Sequence, residues 1–161
     1  MSGSHKTPAS EASEKRGSHD HILTWVAANR MLPLVQRIVA DVVECQHRLT
    51  TMQVEKERLD RHRRDLSWPE RSRRYQLDEE IAAGESTLRA TCTELNGLGV
   101  SLLDSDTGRV GFPTKVNNRQ AFFSWLLGEQ TLSFWQFADD DERRPIPASW
   151  TKVESRQKTK D

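Results

Sequence analysis

Apolar residues recur along the first half of the chain with a spacing that alternates between three and four. Counting from Ala28 gives Met31, Val35, Ile38, Val42, Cys45, Leu49, Met52, Lys56, Leu59, Arg63 and Leu66, and only Lys56 and Arg63 break the apolar run. An average step of 3.5 predicts a coiled-coil seam on one long helix over about residues 24–66. Leu32 and Val39 widen that seam near its start, so a further element is expected to cover that end. Thr24 is a candidate N-cap, and Pro33, lacking an amide proton, predicts a bend or restart after a short first turn. A second seam runs through Arg74, Leu77, Ile81, Gly84, Leu88, Thr91, Leu95 and Leu98. Ser67, Pro69 and Glu70 form a helix-start signal before it, and Gly97 and Gly99 a stop, which predicts a second helix over 69–98. A turn near 67–69 makes the two helices antiparallel partners. Residue numbers then sum to about 137 across the pair, setting Leu49 against Leu88, Cys45 against Cys92 and Met52 near Gly84.

After Gly99 the period shortens to two. Val100 to Leu103, Arg109 to Pro113, Gln120 to Leu126 and Thr131 to Gln136 read as short strands, separated by turn-forming stretches at 104–108, 117–118 and 128–130. All five phenylalanines, with Trp125 and Trp135, fall between Phe112 and Phe137. That concentration suits a small antiparallel meander over 99–144, seated on the open end of the hairpin. The predicted fold is α+β: a helical hairpin over 21–98, then the β module. Residues 1–20 hold no aromatic or branched aliphatic side chain and are expected to be a disordered tail. Residues 145–161 are expected to be a second flexible tail, with Ile146, Trp150 and Val153 as its only anchors.

Composition narrows the function. The chain has 161 residues, 35% of them hydrophobic and 30% charged, and its mean hydropathy is −0.76. So small an apolar fraction suits a narrow core and one domain rather than a large globular enzyme. Twenty-four basic residues balance twenty-four acidic ones, which argues against wholesale adsorption to nucleic acid or membrane. No apolar run approaches the ~20 residues of a membrane span, so a cytoplasmic, membrane-free protein is expected. Cys45 and Cys92 lack metal-ligand spacing and suit a reducing compartment as inert seam thiols.

In order, the run Ala28 to Val35, the charged hairpin, Leu98 to Val100, Gly108 to Pro113, Asn118-Arg119, Ser124-Trp125, Gly128-Glu129 and Trp135-Gln136 resemble the bacterial family known as domain of unknown function 2203. The resemblance runs from about Leu23 to Ile146. It implies a cytosolic helical hairpin with a small C-terminal β part and no established activity. The family pattern carries Cys where Ser124 stands, His where Gln136 stands and Asp where Gly111 stands. A Cys/His pair for metal or nucleophilic chemistry is therefore missing here.

Four clusters remain. The hairpin tip holds Arg58, Arg61, Arg63, Arg64, Arg71, Arg73 and Arg74 against Asp60, Asp65 and Glu70. Forked guanidinium donors with Trp68 and Tyr75 suit an anionic partner such as nucleic acid, while a solvated tip explains the same residues more simply. Arg119, Trp125, Glu129 and Trp135 read either as a partner-gripping surface or as β core with Arg119 paired to Glu129. Asp104 to Gly108 resembles the opening of a calcium loop without its later ligands, and a side-chain-capped turn accounts for it better. Asp139 to Glu142, followed by Arg143 and Arg144, reads as a self-neutralised acidic loop. No nucleophile–base set or phosphate loop stands out, so no cofactor, metal or catalytic residue is expected. The leading expectation is a non-enzymatic interaction protein that binds protein partners or itself through the hairpin and the β end. Nucleic-acid association through the arginine tip is the alternative, and an enzyme or metal site at the β end, with Ser124 and Gln136 in place of stronger ligands, comes third.

Overall fold

The computed structural model describes residues 22–152. The first expected tail, residues 1–20, and the last part of the second, residues 153–161, lie outside the described residues. Helix α1 (Trp25–Arg61) and helix α2 (Trp68–Gly97) form the hairpin. A five-stranded antiparallel sheet follows, β1 (Ser101–Asp104), β2 (Arg109–Val116), β3 (Arg119–Leu126), β4 (Phe134–Phe137) and β5 (Arg144–Pro145), in simple meander order. A five-residue helix, α3 (Ala148–Lys152), ends the described chain. The α+β architecture expected from the two periodicities is therefore the one found.

Thr24 caps α1 by accepting the Ala27 N–H at 3.2 Å. Pro33 lies inside α1, which neither breaks nor restarts there. A proline in a helix interior costs about 3 kcal/mol, but although Pro33 itself is exposed, Ala28, Leu32 and Val35 around it are all buried, so packing outweighs the missing bond. The first helix is shorter than its pattern suggested. It stops at Arg61, and residues 62–67 form the connection. Arg63, read as a seam position, is exposed in that loop, whereas Leu66 folds back from it against Leu59 and Leu77. A longer connection slides the pairing by almost one turn: Lys56 meets Asp78, and Asp60 meets Arg74, so partners sum to about 134 instead of 137. Glu70 accepts the Ser67 N–H at 3.2 Å, which closes the start of α2 as its sequence signalled. At Gly84 a side chain would stand 2.8 Å from Leu49 and 3.7 Å from Met52, so glycine there lets two large residues of α1 approach.

The sheet sits on the opposite end of α1 from the tip. Ala121, Phe123 and Trp125 of β3 alternate onto the inner face and share one core with Val110, Phe112, Leu32, Val35, Val39 and Leu95. Trp25 Nε1 donates to the Leu132 carbonyl at 2.9 Å, and the Leu23 N–H donates to Pro113 O at 2.7 Å, which ties the start of α1 to the sheet. Asn117 and Asn118, with φ of 51° and 63°, make the two-residue turn between β2 and β3. Residues 145–152, expected to be a loose tail, are instead part of the module. Arg144 and Pro145 pair with β4, and Ile146 and Trp150 pack on the core, Trp150 lying 5.4 Å from the Trp135 ring.

A second, smaller core of Leu59, Leu66 and Leu77, with Met52 and Ile81 beside it, closes the tip. Because Leu77 is fully buried there, Leu77→Ala is expected to cost about 2–5 kcal/mol. Amide hydrogen exchange should show lost protection at residues around 55–81 and unchanged protection in β2 and β3. Uniform loss across the sheet would show that the two cores are one cooperative unit.

Candidate functional site

Three regions bring chemistry-bearing side chains together: the outer face of the sheet, the groove between the helices, and the tip.

On the outer face, Gly111 of β2 is the cross-strand partner of Ser124, and Gln136 of β4 stands opposite Phe122, one position along on the same face. Ser124 is 0% exposed and Gln136 3%. Arg143 reaches in from the β4–β5 connection. Its Nε donates to Ser124 Oγ at 3.0 Å, and its Nη2 donates to Ser124 O at 3.1 Å and to Glu129 Oε1. The guanidinium also lies 4.5 Å from the centre of the Phe134 ring. Glu129 in turn accepts the Leu126 N–H at 2.7 Å. Gln136 Nε2 donates to Asp140 O at 2.9 Å, and its Oε1 finds no partner among the described residues. The acidic connection thus folds back over this face, with Arg144 pairing with Asp140 and Glu142 as the self-neutralised reading expected.

The four residues read as one gripping surface do not form one. Trp125 is 1% exposed, and its Nε1 donates to the Glu129 carbonyl at 3.0 Å, while Trp135 packs edge-on against Phe137 at 4.9 Å; both belong to the core. Arg119 does not pair with Glu129. It pairs with Asp139 at 3.2 Å and lies 4.0 Å over the Phe137 ring, at the far end of β3. Glu129 takes Arg143 instead, a residue with no sequence signal for that role. Asp104 accepts the Asp106 N–H at 2.9 Å, which holds its carboxyl below its ordinary value and makes the β1–β2 turn a side-chain-capped one.

The groove opens along one side of the hairpin, with a volume of about 770 Å³. Cys45, Leu49 and Met52 floor it from α1, and Ala83, Gly84, Thr87 and Thr91 give α2 a wall of small side chains. Cys45 Sγ donates to Gly84 O at 3.4 Å. Both cysteines are free thiols, and burial, then the nearby Cys45, pushes the Cys92 thiol up, away from thiolate chemistry.

At the tip the seven arginines divide. Arg73 holds Glu55 through two bonds, at 2.9 and 3.1 Å, and reaches Glu80 at 3.3 Å; Arg74 holds Asp60 at 2.6 Å. These two lock the helices together. Arg58, Arg61, Arg63, Arg64 and Arg71 are exposed, and none has a carboxylate within 4.0 Å among the described residues.

Over residues 21–146 the sequence matches the family described as uncharacterized conserved protein, DUF2203. The chain belongs to that family. No curated protein and no solved structure matches it. In this DUF2203 protein the three positions noted above as departures, Gly111, Ser124 and Gln136, share one small area of the sheet's outer face. Phe122 lies over Gly111 so closely that any side chain at 111 would stand 2.6 Å from its ring. Among the described residues no three His, Cys, Asp or Glu side chains come together as a metal-binding group, and no helix is long and apolar enough to cross a membrane.

Two expectations follow. Gly111→Ala should destabilise the fold by about 1–3 kcal/mol through overpacking, and Phe122→Ala in the same chain should recover part of that loss, which a double-mutant cycle by denaturant unfolding will read. Acid should loosen the tip. Hydrogen bonds from Arg73 and Arg74 hold Glu55 and Asp60 below their ordinary values of 4.5 and 3.8. A depressed carboxyl stabilises fully above its unfolded value, and the gain is lost as pH falls through the folded one, so the loss is expected below about pH 4. An R73Q/R74Q variant should show a flatter acid limb in its melting temperature than the parent.

Proposed function

We propose that this DUF2203 protein is a non-enzymatic interaction module of the cytoplasm that binds protein partners, or a second copy of itself, chiefly through the hairpin. The groove between α1 and α2 carries this reading. Two helices packed alone leave one side of their seam uncovered, and here that side combines an apolar floor with small residues that let another backbone come close. Charged side chains rim it: Asp41, Glu44 and Arg48 from α1, and Arg73 and Glu80 from α2. An apolar centre with a charged rim is the anatomy of a protein interface, in which the centre supplies affinity and the rim orientation. A helix presenting apolar residues three and four apart is the occupant that such a groove suits.

The β end contributes less to this reading than the sequence suggested. Trp125 and Trp135 serve the core, Glu129 is bound by Arg143, and Arg119 is left as the exposed member of that set. The lack of a membrane-crossing helix in the described residues accords with a module working in the cytoplasm.

Ala83 and Thr87 are exposed on the groove wall, so A83E/T87E should preserve the helix while blocking an apolar guest. The tagged protein and this variant are to be compared by affinity capture after nuclease treatment, and by sedimentation for self-association. The expected outcome is a defined partner, or a concentration-dependent dimer, that the variant loses while its circular dichroism is unchanged. Capture or dimerisation that is identical in both proteins would remove the groove from the function.

A further inference from the structure

We infer that the hairpin tip is a binding site for single-stranded nucleic acid, formed by five free arginines and two exposed aromatic rings. This reading is independent of the groove and rests on how the tip spends its charges.

Arg73 and Arg74 are consumed by Glu55, Glu80 and Asp60, and Glu70 is consumed by the helix cap. What remains is Arg58 and Arg61 at the end of α1, Arg63 and Arg64 in the connection, and Arg71 on the first turn of α2, with Asp65 as the one exposed acid of that loop. Hairpin stability does not account for these five, because none touches a carboxylate among the described residues. Five guanidinium groups on so short a stretch repel one another and gain most from an anionic ligand. Every cation from 58 to 75 is an arginine, with no lysine, and the planar fork of arginine matches phosphate oxygens and stacks on bases.

The aromatic residues decide the class of polyanion. Trp68 is 78% exposed and Tyr75 69%, whereas at the sheet end Trp125 and Trp135 are buried and Trp25 and Trp150 partly so. Positions 68, 71 and 75 are spaced three and four apart, so Trp68, Arg71 and Tyr75 share one face of α2, spanning about 10 Å at 1.5 Å per residue. Two open rings with a guanidinium between them form a stacking platform for unpaired bases. In a duplex the bases are already stacked and their faces are closed to such rings. A lipid surface would need a continuous apolar face, which Arg71 and Ser72 interrupt here.

Fluorescence anisotropy with labelled oligonucleotides of about sixteen nucleotides, the upper end of known site sizes, tests the inference. RNA and DNA single strands, the matching duplex, and vesicles containing phosphatidylserine are the probes. Single strands should bind more tightly than duplex. Affinity should fall with salt along a log–log slope approaching about −3.5 for five phosphate contacts. W68A/Y75A should weaken single-strand binding about tenfold or more and erase the preference over duplex. R58Q/R61Q/R63Q/R64Q/R71Q should abolish binding and flatten the salt dependence. All seven side chains are exposed, so circular dichroism and melting temperature should stay at parental values in both variants. Failure to bind any oligonucleotide at low salt would overturn the inference. So would equal binding of duplex and single strand that survives W68A/Y75A, or binding to the vesicles alone.

Discussion

One helix serves two partners at once, and the remaining structure depends on that. The seam of α1 through Val42, Leu49 and Leu59 faces α2, while Leu32, Val35 and Val39 also bury against the sheet. The second contact requires close approach. Gly108, with φ of 74°, brings the β1–β2 turn so near that a side chain there would stand 2.9 Å from Val39 and Leu127. Only a residue without a Cβ turns the strand and lets it seat on the helix in the same step. With α1 fixed in this way the aromatic face of the sheet has a partner, Pro33 is carried inside a helix that would otherwise break, and α2 has a rigid surface to follow.

The parts of this arrangement that repeat were legible in the sequence. Twelve positions in the first predicted seam and eight in the second stated the same rhythm, so single exceptions such as Lys56 did not obscure it. The period of two after Gly99 gave the meander, and Asn117-Asn118 gave its tightest turn. Periodicity reports burial and not backbone conformation, which is why Leu66 extended the apparent helix: it is buried, but from a loop. That misreading moved the turn and shifted the expected pairing by almost a turn. The Arg119–Glu129 pair was excluded by length alone, since β3 separates them by about eight residues at 3.3 Å each. Arg143 was not legible, because nothing local in an acidic stretch shows which arginine turns inward. Ile146 and Trp150 were seen as isolated apolar residues, too few to form a pattern, and so the last strand and helix went unpredicted.

Arginine does two kinds of work here, and distance to a carboxylate separates them. Arg143, Arg73 and Arg74 spend their forks inside the protein, closing the outer sheet face and clasping the helices. The five on the outside of the tip spend nothing internally. Counting charges along the chain merges the two sets into one basic patch, and only the fold divides them. A neutral chain therefore carries a concentrated cationic end, because the balancing acids lie elsewhere, among them Asp139, Asp140, Asp141 and Glu142, which are engaged by Arg119, Arg109 and Arg144.

The two cores are set apart along the hairpin, with the small-residue stretch around Gly84 and Ala83 between them. Neither core needs the other at a particular distance. Inserting seven residues once into each helix beside that stretch would keep every seam position in phase and move the tip outward by about 10 Å. The hairpin is in that sense an arm of adjustable reach. Its length is a quantity that evolution can tune independently of the sheet that anchors it and of the arginines that it carries.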